Sequence, residues 1–133
     1  MSDQVMRGLL QTRLMSLGWA NQTVFEKRSF TPTPGVPYQE VTTVFLEPEA
    51  ITVSGSDLGR GVFQVRLMYP LLPADGIGEA WARAEQIRDL FPRNLKILGG
   101  GATVKITRKP AITRGPPQGD RDVTIVRVRF ADR

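Results

Sequence analysis

Val62, Phe63, Gln64, Val65, Arg66, Leu67, Met68, Tyr69: this run decides how the chain folds. Phe63, Val65, Leu67 and Tyr69 fall on one side of an extended backbone, with Gln64 and Arg66 on the other. That period of two is what a strand with one buried face requires. Upstream, Tyr38 to Glu47 holds the β-branched and aromatic Val41, Thr42, Thr43, Val44 and Phe45 between Pro37 and Pro48, and predicts a partner strand, antiparallel to the first. Ser54 to Gly61, polar with three glycines, predicts the loop between them.

Two segments have helical spacing instead. Val5, Met6, Leu9, Leu10, Leu14 and Leu17 recur at threes and fours, which predicts a helix over about residues 3–17, capped by Ser2 or Asp3 and ended by Gly18 in a left-handed turn. Ile77, Ala80, Trp81, Ala84, Ile87, Leu90 and Phe91 predict a second, stopped by Pro92. Trp19 to Pro37 keeps no period and reads as an irregular connector held by Trp19, Phe25 and Phe30.

Beyond the second helix, Leu95, Ile97 and Leu98 lead into three glycines, and Thr103 to Thr107 predicts a strand burying Val104 and Ile106. Thr124, Val126, Val128 and Phe130 share one face of a closing strand. Val123, Ile125, Arg127 and Arg129 share the other, a face covered at one end and open at the other. Arg114 to Gly119, with two prolines and two glycines, reads as a mobile tip. The order predicts one α+β domain over residues 1–133, with two helices packed on one face of a mainly antiparallel or mixed sheet of about four to five strands. A split βαβ sandwich shares that order.

With 133 residues, 41% hydrophobic and 23% charged, the chain has enough apolar material for a core, and intrinsic disorder of the whole is excluded. It contains no Cys and no His, so thiolate nucleophiles, disulfides, zinc ribbons and histidine general bases are absent. No run approaches the apolar length of a membrane-spanning helix or a signal peptide, and synthesis in the cytoplasm is expected. The net charge is +5, and the whole excess falls in residues 67–133. Mixed with Asp and Glu, it reads as solvated surface ahead of a nucleic-acid footprint.

Chemical motifs weigh lightly. Arg60, Gly61, Val62, Phe63, Gln64 and Val65 have the order of an RNA-recognition strand, but a buried Phe63 leaves Gln64 and Arg66 outward, where stacking needs aromatics. Gly76, Gly78 and Gly99 to Gly101 lack the residues of a phosphate loop and read as turns. Glu47 with Glu49, and Asp120 with Asp122, are carboxylate pairs without a third ligand. Arg108, Lys109 and Arg114 form a basic cluster suited to phosphates, an acidic protein or plain solvation. No catalytic residue, metal ligand or cofactor site is assigned, and a contact-making protein is expected over an enzyme.

Taken together, the N-terminal amphipathic helix, the aromatics Trp19, Phe25 and Phe30 before Tyr38, Val44–Phe45–Leu46, the strand opening at Gly61 to Val65, Gly78 with Ala80 and Ala84 in a helix ending at Leu90–Phe91, and the closing strand to Phe130 resemble the tail terminator proteins of long-tailed bacteriophages, the minor tail protein U-like family. The resemblance runs nearly end to end. It implies a virion protein, assembled in the host cytoplasm, that forms a hexameric ring on the last ring of tail tube protein, stops tube growth and offers a surface to the head connector. DNA would pass through the lumen without specific binding, and no membrane or cofactor is implied. Loop position nominates Leu58, Arg60, Arg108, Lys109, Arg114 and Gln118 as contact residues. Another head–tail or tube component, or a small RNA-binding module, are the competing readings.

Overall fold

The computed structural model describes residues 3–19, 22–25, 31, 36–50, 57–70, 76–119 and 121–132. Chain order is α1 (Asp3–Met15), β1 (Thr23–Val24), β2 (Tyr38–Ala50), β3 (Asp57–Pro70), α2 (Gly76–Leu90), β4 (Lys96–Gly99), β5 (Ala102–Ile106), β6 (Ala111–Gln118) and β7 (Arg121–Asp132). The strands form one seven-stranded sheet in the order β1-β2-β3-β7-β5-β4, with β6 also on β7. β1 runs parallel to β2, and every other pair is antiparallel. The α+β architecture with two helices agrees with the sequence reading, whereas the expected four to five strands become seven.

β3 and β7 are the centre. Phe63 lies opposite Val128 and Val65 opposite Val126, and Phe63, Val65, Leu67, Val126, Val128 and Phe130 are all buried. Met6, Leu10 and Leu14 of α1, and Ala80, Ala84 and Ile87 of α2 with Phe91 just beyond it, close over that face in one core cluster. Burying each such Leu, Ile or Phe contributes roughly 1.5–3 kcal/mol. Trp81 is the exception to the helical reading: it is 38% exposed, because the buried stripe runs 80, 84, 87, 91 and leaves position 81 beside it.

The helices also cap each other. Arg13 of α1 donates from Nε to the Leu90 carbonyl at 2.7 Å, and Arg83 of α2 donates from Nη1 to the Leu17 carbonyl at 3.2 Å. Each cation thereby satisfies an orphan carbonyl at the negative end of the other helix. α1 terminates through Gly18 at φ 90° followed by Trp19 at φ 70°. The strained Trp19 is held by its ring, which lies 4.3 Å below the Arg83 guanidinium and 5.9 Å from Tyr69. Arg83 itself is buried, with Nε and Nη2 unpartnered. Burial lowers the Arg83 pKa and raises that of the Tyr69 phenol, an effect the Arg83 charge partly offsets.

Four sequence expectations need correction. Arg114 to Gly119 is mostly strand, not a mobile tip: β6 runs to Gln118 and absorbs Pro116 and Pro117 where its register with β7 shifts between Gly115 and Gln118, as edge strands allow. The polar loop before Gly61 shortens, since β3 already starts at Asp57, and its earlier residues lie outside those described. β2 does not stop at Pro48 but continues to Ala50 through a register shift between Leu46 and Glu49. Ile97 and Leu98 belong to a strand, β4, turned back on β5 by Gly100 at φ 54° and Gly101 at φ 80°.

Candidate assembly surfaces

Alternation and register place a second set of side chains on the sheet face that the helices leave open. At one end that face is sealed by Tyr38, Met68 and Val123, with Val24 and Ile125 against them. Arg121 locks this end: it is buried, donates to the Val36 carbonyl at 2.6 Å and lies 4.8 Å from the Tyr38 ring. Sequence reading missed it, having seen only the cation between Asp120 and Asp122. Asp120 lies outside the described residues, and Asp122 contacts Arg114 at 3.6 Å.

Toward the other end the face becomes polar and basic. Arg66 pairs with Glu40 at 3.0 Å directly across β2 and β3. Arg127 donates to Gln64 Oε1 at 3.2 Å and to Thr113 Oγ1 at 3.4 Å, tying β3, β7 and β6 together. Register puts Arg60, Arg129, Lys105 and Lys96 on the same face. Register adds the acidic Glu40 and Glu49 to it, and Glu40 is paired with Arg66. The open face and covered end expected for β7 are therefore observed.

At one end of the sheet β1 pairs with Gln39 and Glu40 of β2. At the opposite end, among the described residues, β4 pairs with β5 alone. Val44 is 50% exposed, Leu46 37% and Leu98 72%. Beside Leu98 runs a groove between α1 and β4, lined by Val5, Gly8, Leu9, Thr12 and Ile97.

The six nominated contact residues scatter over these surfaces. Leu58 and Arg60 are on β3, with backbone opposite Glu49 and Leu46. Arg108 and Lys109 are exposed between β5 and β6, and Lys109 lines a second groove with Arg88, Asp89, Pro92 and Arg93 at the end of α2. Arg114 and Gln118 are on β6, near the sealed end. The structure does not gather them into one site. The exposed Val44, Leu46, Trp81 and Leu98 went unnominated: the first three were read as strand or helix and Leu98 as the lead into three glycines, and alternation alone does not tell which face a partner covers.

The described residues form a curved mixed sheet with both helices packed on one face. A family model for phage tail terminator proteins matches residues 6–130, and the chain belongs to that family. It is a phage tail structural protein. A solved structure 26% identical in sequence is similar over 100% of this chain and 96% of its own, with a TM-score of 0.74. No curated protein sequence matches.

Proposed function

We propose that this protein closes the finished tail tube as a ring of six copies, stops tube polymerisation and presents the surface to which the head connector joins. The observation that carries this reading is the family match over nearly the whole chain. The sheet supports it: the open face carries Arg60, Arg129, Lys96 and Lys105 beside the exposed apolar Val44, Leu46 and Leu98, a surface a free-standing monomer has no use for. Contact with the tube and with the connector needs two distinct surfaces. The basic open face and the α2 side, where Trp81 is exposed, supply candidates for them. The protein acts without catalysis, and its place is the virion tail, reached by assembly in the host cytoplasm. DNA crosses the ring without tight binding, since the arginines at 66 and 127 are engaged within the sheet.

Electron microscopy of particles lacking this gene product tests the role. Overlong headless tails beside filled, unattached heads are expected; tails of normal length joined to heads would overturn it. Submicromolar nucleic-acid binding by the purified protein at physiological salt would favour the RNA-binding alternative instead.

A further inference from the structure

We infer that the groove at the foot of α2 is a docking site for an acidic segment of a neighbouring tail protein, held by Arg88, Arg93, Arg108 and Lys109. This rests on the assembly reading above and names the chemistry of a partner met on the α2 side.

The backbone builds the groove. α2 ends at Leu90, and Pro92 bars its continuation. Asn94 turns the chain at φ 72°. Its N–H donates to the Ile106 carbonyl at 2.7 Å, and the Ile106 N–H donates to the Leu95 carbonyl at 2.8 Å. These two bonds pin the exit of α2 against the exit of β5. Just beyond, the Thr107 N–H donates to the Arg129 carbonyl at 3.0 Å, and Pro110 is buried. Main-chain bonds therefore hold Arg93 on one exit near Arg108 and Lys109 on the other, before any ligand arrives. The groove, about 440 Å³ in volume, is lined by Arg88, Asp89, Pro92, Arg93 and Lys109, so its cations outnumber its one carboxylate. The exposed Arg108 precedes Lys109 in the chain.

The fold itself leaves these charges largely unused. Cations near the end of a helix commonly serve its free carbonyls. Here the Leu90 carbonyl already accepts from Arg13 at 2.7 Å, and the Arg88 and Pro92 carbonyls accept from the N–H groups of Phe91 and Leu95. Arg93, Arg108 and Lys109 form no ion pair among the described residues. Arg88 reaches Glu85 only at 4.0 Å, and its Nε is buried without a hydrogen-bond partner, a donor that a turn of the side chain toward an incoming oxygen would satisfy. Like charges gathered in this way repel one another, and an anion that enters relieves the repulsion.

The shape of the site favours a protein segment over DNA. A duplex carries a charge about every 1.7 Å of its axis and is held by an extended track of cations, whereas these cations converge on one walled groove. Two of its lining cations are guanidiniums, whose planar fork takes a carboxylate through two parallel bonds.

The first test is an NMR titration of the purified protein with hexaglutamate at low ionic strength. The backbone amides of Arg88, Asp89, Arg93, Arg108 and Lys109 should shift, and a chain carrying Arg93→Gln with Lys109→Gln should bind at least about fivefold more weakly. Shifts confined to the open sheet face at Arg60 and Arg66, or equal binding by the double variant, would overturn the inference. So would a DNA duplex that displaces the peptide from these five positions at physiological salt. The second test is made in particles. Arg93→Glu with Lys109→Glu, both at exposed positions and folded as judged by an unchanged melting profile, should give about tenfold fewer joined virions. A parental yield would overturn the docking site and leave the assembly reading standing. Normal joined tails in the absence of the gene product would overturn the assembly reading, and the titration would still decide the groove.

Discussion

Gly61 is the position where the packing of the sheet makes its sharpest claim. It lies opposite Phe45 on β2 and Phe130 on β7, whose rings meet edge to face at 5.8 Å. A Cβ at this position would stand 2.5 Å from the Val44 carbonyl oxygen and 2.8 Å from Phe130 Cζ. The ring can turn slightly, but the carbonyl belongs to the β2 backbone and yields only if the strand moves. Gly61→Ala gains ~0.5–1 kcal/mol by stiffening the unfolded chain and loses ~1–3 kcal/mol to overpacking. With a backbone atom inside contact distance the loss falls at its upper end, for a net destabilisation of about 2 kcal/mol. At ~4 °C per kcal/mol for a domain of this size, the melting temperature should fall by about 8 °C. Gly8→Ala is the matched control: it sits within α1 with nothing within 4 Å of the added carbon, and should raise stability by ~1 kcal/mol. Both variants are read by far-UV circular dichroism melts at one protein concentration. A Gly61→Ala chain that melts at or above the parent would refute the reasoning.

Other positions yield further tests. Arg121→Ala removes a buried cation that donates to the Val36 carbonyl and lies against the Tyr38 ring, and urea titration should show a loss of about 3 kcal/mol. Arg83→Met exchanges one hydrogen bond and the Trp19 contact for relief of two unpartnered buried donors, so stability should change by less than ~1 kcal/mol. Tyr69 holds its proton more tightly in the fold than in the unfolded chain, chiefly through burial. Its contribution is therefore complete below the ordinary tyrosine value of 10.0 and falls as pH rises above it. Tyr69→Phe should make the alkaline loss of stability shallower in melts taken from pH 8 upward. Arg127→Ala, whose hydrogen bonds are exposed, should cost no more than about 0.5 kcal/mol by the same titration.

What the sequence made legible was the part governed by local periodicity. Phe63 to Tyr69, Thr124 to Phe130 and the stripe through Met6, Leu10 and Leu14 reach the core as their spacing requires. β6 was hidden because Gly115 and the two prolines look like loop chemistry. Yet Gly115 is there so that β6 can approach β7, a Cβ meeting Ile125 Cδ1 at 3.1 Å. β1 and β4, of two and four residues, are too short to carry a period and exist only because β2 and β5 are there to receive them. The assembly surfaces were least legible. Val44 and Leu98 look like any other strand residue, and only the register shows that both lie on the face without helices.

β7 pairs with β3 along one edge and with β5 and then β6 along the other, so residues 121–132 join two portions of the molecule that share no other strand pairing. During translation the β2–β3 hairpin and the β4–β5 hairpin are made long before the strand between them. Until it leaves the ribosome the core has no floor, and the hairpins wait with their inner edges exposed. Folding of these strands is therefore a nearly single event that waits for β7. Nascent chains halted before residue 121 should remain protease-sensitive throughout, and no assembly-competent subunit exists before that strand is in place.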